Sequence, residues 1–97
     1  MNRIMEKMRH LTNLVRWMEE EQRDINCYSA AVDMAQGVRE RKKAQTLYDL
    51  SYRKWSNYQC EAIEMVMKLT GKSESNALAF IASNRVEILA GDYDWTE

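Results

Sequence analysis

Ninety-seven residues, 45% of them apolar and 30% charged, describe one small globular domain rather than a disordered chain. Proline is absent and glycine occurs three times, which argues against sandwiches and barrels, whose turns recur every few residues. A net charge of −1 gives no whole-molecule attraction to nucleic acid.

The longest apolar run, Ala77 to Ala82, is far short of the roughly 20 residues that cross a bilayer. No apolar segment follows the basic residues at the N-terminus, so a secretory signal is not expected and the expected location is cytoplasmic. Two cysteines without CxxC spacing offer neither a disulfide framework nor a zinc knuckle.

The first element, residues 2–36, carries Ile4, Met8, Leu11, Val15, Met18, Ile25 and Val32 at alternating four- and three-residue spacing, with Gln22 and Ser29 at its two weak positions. Leu14, Trp17, Tyr28 and Ala31 broaden this stripe to the width of a core-facing helix. The polar run from Gln22 to Asn26 is the weak point of that helix, and the pattern leaves open whether it breaks there. The second element, 38–70, repeats the pattern with Ala44, Tyr48, Ser51, Trp55, Tyr58, Ala62, Met65 and Leu69, flanked by Leu47, Ile63 and Val66.

A third helix over 74–90 follows, capped by Ser73 or Ser75, with Leu78, Ile81, Ala82, Arg85, Ile88 and Leu89 on one face and a possible interruption at Ser83-Asn84. Gly37, Gly71 and Gly91 each follow a helical pattern and are expected to close it in the left-handed conformation. An irregular tail, 91–97, ends the chain.

Counting Lys and Arg against Asp and Glu, successive blocks carry +3 (1–18), −4 (19–36), +4 (37–54), −1 (55–71) and −3 (72–97). A turn near Gly37–Lys43 lays the −4 block beside the +4 block, so the first two helices are expected to pair antiparallel. Each is about 50 Å long at ~1.5 Å per residue, whereas a compact chain of this size has a radius of gyration of about 12–13 Å. A single hairpin is expected to leave Met8, Val15, Trp55 and Ala62 underpacked. The expected architecture is therefore all-α: a long antiparallel hairpin plus a shorter C-terminal helix, completed as a bundle by self-association, with a homodimer as the simplest assembly. Met8, Leu11, Val15, Met18, Trp55, Tyr58, Ala62 and Met65 are its core or self-association residues, and Trp55 is expected to be buried.

Arg39, Arg41, Lys42 and Lys43 form the densest basic cluster, suited to phosphate or to an acidic partner. The competing reading is a solvated turn balanced by Glu19, Glu20, Glu21 and Asp24 of the paired helix. Tyr93 and Trp95 alternate with Asp92, Asp94 and Glu97, a pattern expected to dock on the Arg3, Lys7, Arg9 and Arg16 face, on the basic elbow or on a partner.

Cys27 and Cys60 lie in helical pattern and are expected to be buried thiols, while His10 is expected on a helix surface. Glu20-Glu21 with Asp24 resembles half of the carboxylate pattern that MazG-type nucleotide pyrophosphohydrolases place around Mg²⁺. The other half, an ExxD, is represented only by Glu61-Ala62-Ile63-Glu64 further downstream, so the chain is not assigned to that family. Helical ion pairs such as Glu19–Arg23 and Glu64–Lys68 are the competing role for these acids.

No phosphate-binding loop, dinucleotide fingerprint or nucleophile elbow occurs, and neither a cofactor nor a bound metal is expected. The expected function is that of a non-enzymatic helical interaction protein, a small regulator or inhibitor acting through protein–protein contacts. By analogy of size and architecture, phage- or mobile-element-encoded inhibitors of host defence are of this kind. Two alternatives are nucleic-acid or phosphorylated-nucleotide binding through the basic elbow, and metal-dependent pyrophosphate hydrolysis.

Overall fold

In the computed structural model, residues 3–91 are described, with side chains from Glu6 onward. Four helices follow in order: α1 (Arg3–Met34), α2 (Val38–Thr70), α3 (Glu74–Ser83) and α4 (Arg85–Ala90). There is no strand among the described residues. α1 and α2 pair antiparallel over most of their length, and α3 and α4 return along the open end of this hairpin. The molecule measures 54 × 24 × 22 Å with a radius of gyration of 16.3 Å, well above the compact value for its size.

The local chemistry accounts for the breaks between helices. α1 ends at Met34, two residues before the pattern does, and a three-residue bond from Ala35 N–H to Val32 O (3.3 Å) tightens its last turn. Gly37 does not close α1. Its φ of −160° is extended, and it opens α2 as the N-cap, with Arg41 N–H bonding its carbonyl at 2.9 Å. Glu40 then reaches back to accept Gln36 N–H at 2.8 Å, which satisfies a donor just ahead of the helix much as a capping box does.

Gly71 (φ 73°) and Gly91 (φ 79°) do close their helices in the left-handed region, and Gly71 N–H donates to Met67 O at 2.8 Å. Of the two serines, Ser73 caps α3, its Oγ accepting Asn76 N–H at 3.4 Å. Asn84 interrupts the third segment: its backbone and side-chain N–H groups both donate to Phe80 O at 2.9 Å, and the chain restarts as α4.

The open question at Gln22–Asn26 is answered by an unbroken helix. α1 runs straight through, since Gln22 Nε2 donates to Asn26 Oδ1 at 3.2 Å across one turn and Ile25 is buried against the hairpin.

The core is polarised toward the open end. Leu11, Leu14 and Val15 of α1 meet Ala62, Ile63 and Val66 of α2, and Ala77, Ile81 and Ile88 of α3–α4 close over them. Thr12 Oγ1 donates to Ile88 O at 2.8 Å inside this core and ties α4 to α1. Met8, Val15 and Ala62 are thus buried within one chain, which overturns the expectation that a lone hairpin leaves them underpacked. Ala77, Ile81 and Ile88 of the returning segment supply the missing layer over Val15 and Ala62.

Met18, Tyr58 and Met65 are partly buried against the same cluster, and Trp55 is half-buried rather than buried, because the cover ends beside it. Toward the elbow the hairpin has two layers only, and the buried side chains there are Ile25, Ala44 and Ser51. Cys27 and Cys60 are both exposed, contrary to expectation, since each projects from the outer side of its helix. Tyr93 and Trp95 lie outside the described residues.

Two outcomes follow from this burial. Leu11→Ala, at a fully enclosed site, should cost about 2–5 kcal/mol in denaturant titrations, whereas Trp55→Ala should cost about 1–3 kcal/mol, below the usual range for an enclosed indole. Both thiols of the native protein should react with a disulfide reagent without added denaturant, and a thiol that reacts only after unfolding would contradict the placement.

Candidate interaction surfaces

Side-chain pairs fix the register of the hairpin. His10 Nε2 and Glu61 Oε1 are 3.2 Å apart, and the rings of Trp17 and Tyr58 lie 5.5 Å apart. Continuing that pairing sets residues 19–24 beside residues 51–56, so the acidic run Glu19–Asp24 neighbours Arg53 and Lys54. The elbow cations Arg39, Arg41, Lys42 and Lys43 are all exposed and lie further along, about 10–25 Å from that run at ~1.5 Å per residue. With a Debye length of about 8 Å at physiological salt, most of that attraction is screened. The acids expected to balance the elbow therefore do not, and none of the four cations is ion-paired among the described residues.

The same register separates the two acidic motifs. Glu61 stands beside His10, roughly ten residues or ~15 Å from Glu20 and Glu21. Among the described residues, no three metal-ligating side chains converge. Glu19 turns to α4 rather than to Arg23, accepting a hydrogen bond from Arg85 Nε. That hydrogen bond, reinforced by the Glu19 charge and opposed by slight desolvation, raises the Arg85 pKa above its ordinary value. Arg85 thus remains cationic throughout the physiological range. Both partners are substantially exposed, so the pair positions α4 more than it stabilises the fold.

Aromatic side chains gather on the part of α2 that α3 leaves uncovered. Tyr48 and Tyr52 stack with centroids 6.2 Å apart, and Tyr52 and Trp55 meet at 5.9 Å. Arg41, Tyr48, Tyr52 and Trp55 follow spacings of seven, four and three, which puts them on one side of the helix. Tyr52 is 51% exposed, and with Arg53 it borders a shallow depression on the outer side of α2.

Trp55 also forms one wall of a groove of about 230 Å³ where the three-layered half ends. Val15, Met18, Leu78 and Ile81 line it, with Arg85 and Glu19 at its rim. The sequence marked Trp55 and Tyr48 only as core positions. Their partial exposure follows from where α3 stops, which periodicity does not report.

A second uncovered strip lies on the opposite side of the hairpin. It contains Leu47 and Leu50 of α2, 37% and 49% exposed, and Trp17 of α1. Leu47 read as a flank of the main stripe, and Leu50 carried no assignment in the sequence pattern.

No helix among the described residues is long and apolar enough to cross a membrane. No protein-family description, no curated protein and no solved structure matches the chain.

Proposed function

We propose that this is a non-enzymatic interaction protein, a small helical regulator or inhibitor that binds another protein through the aromatic and basic side of α2. The observation that carries this reading is the run Arg41–Tyr48–Tyr52–Trp55, exposed at Arg41 and Tyr52 and half-buried at Tyr48 and Trp55, whose rings already touch one another. Trp, Tyr and Arg are the residue types that most often dominate binding energy, and the aromatic rings bury large areas at low cost in side-chain entropy. Rings held by mutual stacking are also partly ordered before a partner arrives, which lowers the entropic penalty of association.

Arg41, exposed and without an ion pair among the described residues, gives this surface a cation toward a partner with acidic groups, where it would raise the association rate. Two exposed free thiols suit a reducing compartment, which supports a cytoplasmic location.

The test compares the tagged wild-type protein with the double variant Arg41→Ala/Tyr52→Ala in affinity purification from source cells. Both altered positions are exposed, so the variant should keep its helical circular dichroism. It should lose at least about 2 kcal/mol of partner affinity, or roughly 30-fold. Recovery that survives nuclease treatment and disappears in the variant supports the reading. Recovery abolished by nuclease, with affinity falling steeply as salt rises, would replace it with nucleic-acid binding.

A further inference from the structure

The hairpin has two lateral faces. One presents Thr12, Val15, Glu19 and Gln22 of α1 with Trp55 and Gln59 of α2, and receives α3 and α4. The other has no third layer among the described residues. On α1 its stripe is His10, Trp17, Glu21, Asp24 and Tyr28, with spacings of seven, four, three and four. On α2 it is Lys43, Leu47, Leu50, Lys54, Tyr58 and Glu61, with spacings of four, three, four, four and three. The Trp17–Tyr58 and His10–Glu61 contacts put the two stripes side by side on this one face.

The charges on this face are sorted by helix. Between Trp17 and Tyr28 the α1 stripe carries only acids, Glu21 and Asp24, and on the facing stretch of the α2 stripe the one charge is the cation Lys54, with Lys43 further toward the elbow. None of these four is ion-paired within the chain among the described residues.

We infer that a second copy of this chain covers this face, related by a two-fold axis parallel to the helices, with both elbows at the same end. This deepens the reading that the protein acts by association, and it uses a face separate from the Arg41–Tyr52 side. In that arrangement α1 of one copy lies antiparallel on α2 of the other, at the height it already occupies beside its own α2. Glu21 and Asp24 then meet Lys54 of the second copy, Tyr28 meets Leu47, and His10 meets Glu61. The −4 and +4 blocks face each other across the interface as they do within each hairpin.

The alternative two-fold arrangement, with elbows at opposite ends and full overlap, is disfavoured by charge. Its axis would cross the hairpin midway, bringing Lys54 of both copies together and leaving Glu21 and Asp24 without cations. The chosen arrangement completes a four-helix layer with every neighbour antiparallel, and it leaves α3 and α4 on the outer sides.

Light scattering on the full chain from 1 to 100 µM should give the mass of two chains. Leu50→Glu, a change at an exposed site, should give a single-chain mass with unchanged helicity. A nitroxide attached to Gln36→Cys, in a Cys27→Ser/Cys60→Ser background, then reads the orientation. Elbows at one end should give a distance of about 20–35 Å, since neighbouring helices pack ~8–10 Å apart and the labels add their own reach. Opposed elbows would give a distance near the 54 Å length of the molecule and overturn the proposed orientation.

A single-chain mass for the wild type at 100 µM overturns the dimer, and a Leu50→Glu protein that keeps the mass of two chains overturns the assignment of its interface to this face. The Arg41→Ala/Tyr52→Ala variant should remain dimeric. Partner binding lost in that variant, in a protein found to be monomeric, would therefore sink this inference and leave the proposed function standing.

Discussion

The structure is governed by a mismatch of lengths. Two helices of 32 and 33 residues form a hairpin close to 50 Å long, and the 16 helical residues that follow can cover only part of it. Helices in water owe most of their stability to packing of an apolar side, so the covered half and the bare half differ in kind. Near the open end, Leu11, Leu14 and Val66 are enclosed by three layers. Near the elbow each helix has one neighbour, and contacts within a single helix assist it, such as Gln45 with Asp49 and Thr46 with the carbonyl of Lys42.

That asymmetry divides the surface into regions of different character. Where α3 stops, Trp55 is left half-covered and joins Tyr52 and Tyr48 as a continuous aromatic strip. On the other lateral face no returning segment among the described residues competes for space, and Leu47, Leu50 and Trp17 are exposed along with sorted charges. A protein with few residues can thus expose two distinct apolar and charged surfaces by leaving its own hairpin incomplete.

The architecture was legible because its signal is redundant. Heptad spacing, the absence of proline and the alternation of charge blocks all specify the same antiparallel hairpin, and Asn84 and Ser73 act where their side chains suggest. Of the misplaced features, Cys27 and Cys60 fall off the stripes of their own helices and Gly37 lies past the end of its own, whereas the others depend on what lies across from a residue. Cys27 and Cys60 sit within helical pattern but point outward. Trp55 holds a central stripe position at which the third layer happens to end. Gly37 reads as a helix terminator and serves as a helix initiator, because α1 stops at Met34 before reaching it. Balance between the elbow and Glu19–Asp24 depends on a register set by Trp17–Tyr58, and no single segment encodes that. The groove beside Arg85 and Glu19 joins residues 66 positions apart in the chain and was not visible as a motif.

The buried bond from Thr12 to the carbonyl of Ile88 gives the molecule a gradient of local opening. α4 is a six-residue helix that could not persist alone, and it is held in place by this bond, by Ile88 and by the Arg85–Glu19 pair. Amides of residues 11–15 and 62–66 are accordingly shielded by a layer whose release approaches global unfolding. Those flanking the elbow lie under no such layer and can exchange with solvent through fraying of the hairpin tip. The fold thus joins a three-layered base to a two-layered arm, and within one chain the amides of the arm open at a lower free energy than those of the base.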